Sequence, residues 1–144
     1  MNHEPDLARF VLAQDSGGTY EQALAELRAG RKRSHWMWFV FPQLAGLGQS
    51  PMAQTYGVAG IAEARAYLAH PVLGPRLVAC AQALVDLPDR DAEAVLGGID
   101  AMKLRSSMTL FAAADPEQPV FSAVLDQYFD GATDPITARV LGEE

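Results

Sequence analysis

The segment that most constrains the fold is 120–129, where Val120, Phe121, Val124, Leu125, Tyr128 and Phe129 recur at the spacing of successive α-helical turns. Such a stripe is stable only when other elements cover it, and the rest of the chain offers more of the same kind. Tyr20, Ala23, Leu24 and Leu27 fall at i, i+3, i+4 and i+7; Leu73, Leu77 and Leu84, with Cys80 or Ala81, form another stripe, and Leu104, Met108 and Phe111 another. No segment alternates in the way a half-buried strand would. Turn and cap signals separate the stripes. Asp6 is expected to cap a first helix carrying Leu7, Phe10 and Val11, which Ser16-Gly17-Gly18 ends. Thr19 and Gln22 read as a capping box, and Gly30 as the stop of the second helix. Ser50-Pro51 and Asp134-Pro135 open short helices through Tyr56 and Leu141; Pro71, Pro88, Gly97-Gly98 and Asp130-Gly131 mark further boundaries. The expected fold is all-α: a compact single-domain bundle of about seven to nine short helices with no sheet, over 1–144, frayed at 1–5 and 142–144.

Composition narrows the possible functions. An apolar content of 49% is too high for a disordered chain, and the length allows roughly 70% of the unfolded surface to be buried. The longest uncharged apolar run, 36–41, falls far short of the roughly 20 residues a membrane span needs, and the first residues are neither basic nor apolar. A single cysteine, Cys80, forms no internal disulfide, so a reducing cytoplasm is the expected compartment. A net charge of −7 argues against non-specific nucleic-acid binding. Oligomeric state is left open.

The cations are nonetheless clustered. Arg28, Arg31, Lys32 and Arg33 account for four of the eleven Lys and Arg residues and lead into Ser-His-Trp-Met-Trp-Phe-Val-Phe-Pro-Gln, which holds both tryptophans. Trp, Phe and Val favour a strand, but no partner strand exists to satisfy its backbone, so 34–41 is expected to be a short buried helix with Ser34 as N-cap and Pro42 at its end. Cations at a helix start are unfavourable unless an anion joins them, which points to a phosphate or carboxylate site formed by the triplet Arg31, Lys32 and Arg33 with that helix start, Arg31 and Lys32 being the candidate contacts. The same cations also follow the C-terminus of the preceding helix, where they are favoured without a ligand.

His35, Trp36 and Trp38 are candidates for an aromatic pocket with His35 as acid or base, although core packing is the plainer role for either tryptophan. Gln43 closes the stretch as a further candidate contact. Asp100, Lys103 and Ser107 share a helix side with Ser106 nearby, a set that suits anion binding and proton transfer, or a plain surface ion pair. The candidate catalytic residues are therefore His35, Asp100, Lys103 and Ser107, and the candidate ligand contacts Arg31, Lys32, Trp36, Trp38, Gln43 and Ser106. Gly46-Leu47-Gly48 lacks the preceding strand and third glycine of a dinucleotide loop and reads as a turn. His70 is expected to cap carbonyls beside Pro71, His3 to be frayed, and Cys80 to be inert. Three scattered histidines predict no metal site. No cofactor is implied.

These motifs also carry a resemblance. Asp6-Leu7-x-Arg-Phe, Lys32-x-Ser-His-Trp-Met-Trp-Phe-Val-Phe-Pro-Gln, Gly46-Leu47-Gly48-x-Ser, Ala66-Tyr-Leu-x-His-Pro and Lys103-Leu-x-Ser-Ser-Met-Thr-Leu-Phe resemble a bacterial family of domains of unknown function, number 1810 in that series, some members of which bear the label calpastatin. The resemblance runs from Asp6 to about Leu141 and implies a mainly helical single domain, without an activity, cofactor or catalytic residue. From the residues themselves, the expected role is a small enzyme acting on a nucleotide-derived or other phosphorylated molecule at a Lys/His/Trp pocket. The alternative is a non-catalytic ligand-binding or protein-interaction module using the same segment.

Overall fold

The computed structural model describes residues 6–143. In order they form α1 (Ala8–Asp15), a 3-10 turn (Ser16–Gly18), α2 (Thr19–Arg28), α3 (Met37–Val40), α4 (Pro51–Tyr56), α5 (Ile61–Ala69), α6 (Leu73–Asp86), α7 (Ala92–Leu96), α8 (Gly98–Ala114), α9 (Pro119–Phe129) and α10 (Pro135–Gly142). Residues 1–5, where fraying and His3 were expected, and Glu144 lie outside the described residues, while Gly142 is taken into α10. The all-α expectation holds. Among the described residues there is no strand, and the one isolated bridge joins Leu44 to Val58 between two loops.

The stripe of α9 is buried as its spacing requires, packed between α6 and α8. A chain of ring contacts runs through the core from Phe10 to Tyr67 (5.1 Å), Phe111 (5.3 Å) and Phe121 (5.9 Å), so α1, α5, α8 and α9 share one apolar interior. No single helix among the described residues is long and apolar enough to cross a membrane.

Proline-led starts behave as read: Ser50 Oγ accepts from Ala53 N–H and Asp134 Oδ2 from Thr137 N–H, with Pro51 and Pro135 in the first turns. The two N-terminal caps do not. α1 begins after Leu7 with no side-chain cap, and Asp6 instead offers its carbonyl to Arg9. No capping box forms at Thr19, because the Gly17-Gly18 turn runs straight into α2. Thr19 is already helical and its hydroxyl donates back to Ser16 O, while Gln22 donates to Ser34 Oγ.

His70 also differs. Its Nδ1 accepts from the Val72 and Leu73 N–H groups (3.1 and 3.2 Å), so the ring satisfies donors at the start of α6 rather than carbonyls at the end of α5. His70→Ala is expected to lower unfolding free energy by about 1 kcal/mol, with much of it restored in His70→Asn, whose side chain can also accept. Urea denaturation measures this; an unchanged midpoint in the alanine variant would mean that other groups satisfy those amides.

Candidate functional site

The site is built outward from the end of α2. Gly30 takes a positive φ of 77°, its N–H reaches Leu27 O, and Arg31 N–H reaches Glu26 O, a left-handed C-terminal cap that turns the chain back on itself. Residues 31–35 then run beside Glu26. That side chain is only 8% exposed, and its carboxylate accepts from Arg33 N–H (2.7 Å), Ser34 N–H (3.0 Å), Ser34 Oγ and Trp36 Nε1 (3.0 Å). Burial works to raise its pKa, but the bonds from Ser34, Arg33 and Trp36 outweigh that and hold it at about 2. Ser34 is thus bound to Glu26 and caps no helix; α3 starts only at Met37, after Trp36, because those bonds keep the preceding residues out of helical geometry.

On the other side, Lys32 N–H donates to Val95 O (2.8 Å), tying the segment to α7. Gly97, with φ 89°, turns α7 directly into α8, whose first turn has no side-chain cap. A cleft of about 380 Å3 lies where these pieces meet, lined by Lys32, His35, Trp38 and the start of α8 from Gly97 to Asp100. The helix start that faces the basic segment therefore belongs to α8. The single-turn α3 does not supply it.

Asp100 organises the charges. Lys32 Nζ lies 2.9 Å from its Oδ2 and donates also to Ser34 O, and Lys103 Nζ lies 3.7 Å from its Oδ1. Each ammonium also sits over an indole: Lys32 at 5.1 Å from the Trp36 ring and Lys103 at 4.7 Å from that of Trp38. Two cations share one carboxylate, and the Glu93 carboxylate also stands by the start of α8, 3.9 Å from where a Cβ on Gly98 would lie. His35 is exposed at the rim and makes no hydrogen bond or ion pair with the other described residues.

Beyond Ile99, which lines both, a second groove of about 260 Å3 holds Gln43, Lys103 and Ser106. Asp134 also lines it, with one oxygen committed to capping α10.

The remaining candidates separate from this group. Trp36 is fully buried with its N–H on Glu26, and its ring packs at 6.3 Å from Phe41, so it belongs to the core and not to the cleft wall. Ser107 lies on the same side of α8 as Asp100, but two turns further on that side has passed under neighbouring helices, and its hydroxyl is buried without a partner among the described residues. Arg31 is exposed and lines neither groove. Cys80 is buried, which pushes its thiol up to about 12. Among the described residues no three His, Cys, Asp or Glu side chains are grouped as metal ligands. Glu26 was missed by motif reading, though it stands at i+3 from Ala23 and beside Leu27 on the apolar stripe of α2. A carboxylate at a core position requires donors, and that signal was available.

The sequence matches, over residues 4–141, the family model described as protein of unknown function (DUF1810). The crystal structure of the conserved hypothetical protein Rv1873 from Mycobacterium tuberculosis is similar, with 50% sequence identity and a TM-score of 0.91, over 95% of this chain and 96% of that one. No curated protein matches the chain.

Proposed function

Because this chain belongs to the DUF1810 family, whose function is unknown, we propose from the cleft itself that it binds a small phosphorylated molecule, nucleotide-derived ones foremost, and acts on it as a small enzyme. The observation that carries this is the convergence of Lys32 and Lys103 on the single carboxylate of Asp100 beside the uncapped start of α8. A phosphate there takes hydrogen bonds from Lys32 and Lys103 and from the first-turn backbone N–H groups of α8. His35, the group at the rim that is not tied into an ion pair, is the candidate proton carrier. Binding without turnover is the second reading, favoured by the engagement of Asp100 with both lysines, which leaves one free titratable side chain among those lining the cleft.

Isothermal titration with inorganic phosphate and with nucleoside monophosphates tests the proposal. Binding is expected in the wild-type protein, weakened at least about tenfold by Lys32→Met and changed less than about threefold by Arg31→Ala. A folded protein that takes up none of these anions, or loses nothing with Lys32→Met, sinks it. Chromatography of the bound compounds after incubation then separates the two readings: turnover abolished in His35→Ala with affinity retained supports the enzyme, and unchanged compounds support the binding module.

A further inference from the structure

The second groove carries features that a phosphate does not explain. The described residues include four exposed large apolar side chains, and three of them, Ile99 (75% exposed), Met102 (72%) and Ile136 (52%), line this one groove. Ile99, Met102, Lys103 and Ser106 fall at i, i+3, i+4 and i+7 of α8, so one stripe of that helix forms a wall, and Ile136 of α10 stands in another. Ser106 is only 6% exposed, lines the groove, and its hydroxyl has no hydrogen-bond partner among the described residues; the Gln43 amide, also at the groove, has none either. Exposed apolar walls with unpaired polar groups between them match a flat ring that bears donors and acceptors on its edge.

We infer that this groove is the subsite for the base of a nucleotide, an inference that rests on the phosphate site proposed above. Ile99 separates the two grooves and Lys103 reaches from one to the Asp100 of the other, so a single ligand can place its phosphate by Lys32 and its ring between Met102 and Ile136. Ser106 and Gln43 then read the ring edge. Trp38 does not take this role: the Lys103 ammonium covers its ring, and the crevice it lines with Tyr56 has a volume of only about 10 Å3. A second copy of the chain is a poor occupant, because three side chains do not on their own supply the roughly 800 Å2 per partner of a stable interface.

The test compares inorganic phosphate, ribose 5-phosphate, the four common nucleoside monophosphates and n-octyl phosphate by titration calorimetry. At least one nucleoside monophosphate is expected to bind at least about tenfold more tightly than ribose 5-phosphate. That advantage is expected to vanish in the exposed-site double variant Met102→Ser/Ile136→Ser, which leaves ribose 5-phosphate affinity unchanged, and to shrink in Ser106→Ala. Equal affinities for ribose 5-phosphate and all the nucleotides overturn this inference while leaving the phosphate site intact; no binding of any anion overturns the phosphate site and this subsite with it. Octyl phosphate binding more tightly than every nucleotide assigns the groove to an aliphatic chain and also overturns it. So does a nucleotide advantage that survives the double variant, and so does an oligomer dispersed by that variant with nucleotide preference unchanged, which sedimentation would reveal.

Discussion

Glu26→Ala is expected to remove about 4 kcal/mol of unfolding free energy, because the loss strands the donors of Arg33, Ser34 and Trp36 that now converge on one carboxylate. A buried unpaired donor such as Trp36 Nε1 costs about 1–3 kcal/mol, the part-buried donors of Arg33 and Ser34 cost less each, and relaxation of residues 31–35 toward solvent recovers part of the total. Urea denaturation gives the number, and a loss below about 1 kcal/mol would mean that those donors find water easily. The same carboxylate sets an acid limit. Its pKa falls from 4.5 to about 2 on folding, so its contribution is complete above pH 4.5 and is lost as the pH falls toward 2. The size of that contribution follows from the shift, at 1.36 kcal/mol per unit, and is about 3 kcal/mol. Acid unfolding of the wild-type protein should therefore steepen across that window, and Glu26→Gln, which cannot titrate, should flatten it. Because the Glu26 bonds hold the chain that carries Lys32 and His35, anion affinity is expected to fall with stability.

The second large effect is expected from the smallest substitution. Gly74 lies in the first turn of α6, and a Cβ built there would stand 2.1 Å from the carbonyl oxygen of Leu68 and 3.0 Å from its carbon. Both are backbone atoms of α5, so no side chain can swing away. The 92° bend between the two helices must open, or the turn at residues 70–72 must reorganise. Gly74→Ala should cost about 3 kcal/mol, the opposite of what helix propensity alone gives, since alanine is favoured over glycine by about 1 kcal/mol in a helix. Thermal unfolding decides it. A stabilised Gly74→Ala would mean that α5 and α6 approach less closely than this.

Much of this architecture was legible because its signals are local. The stripe of α9, the prolines that open α4 and α10, and Gly30 with its left-handed turn each act over a few residues, and each produced the element it announced. The failures were also local signals, overruled by groups from further away. Thr19 carried the pattern of a cap but was pulled into a helix continuing from the glycine turn. Ser34 was free to cap α3 until Glu26 claimed its hydroxyl and N–H groups. Asp100, Lys103 and Ser107 share a helix side, yet only the first two remain at the surface, since burial along α8 depends on which helices cross it.

The sequence by itself determined that the chain is helical, where most helices begin and end, and that cations and indoles meet in one segment. Periodicity and capping chemistry are written in neighbouring residues, so no knowledge of distant partners is needed. Only the tertiary structure decided that Lys32 pairs with Asp100, that Trp36 is core while Trp38 faces the cleft, and that the helix start beside the cations is that of α8. Those outcomes depend on how α2, α7 and α8 pack. Packing joins segments far apart in the chain, and no local pattern records which side chains will meet.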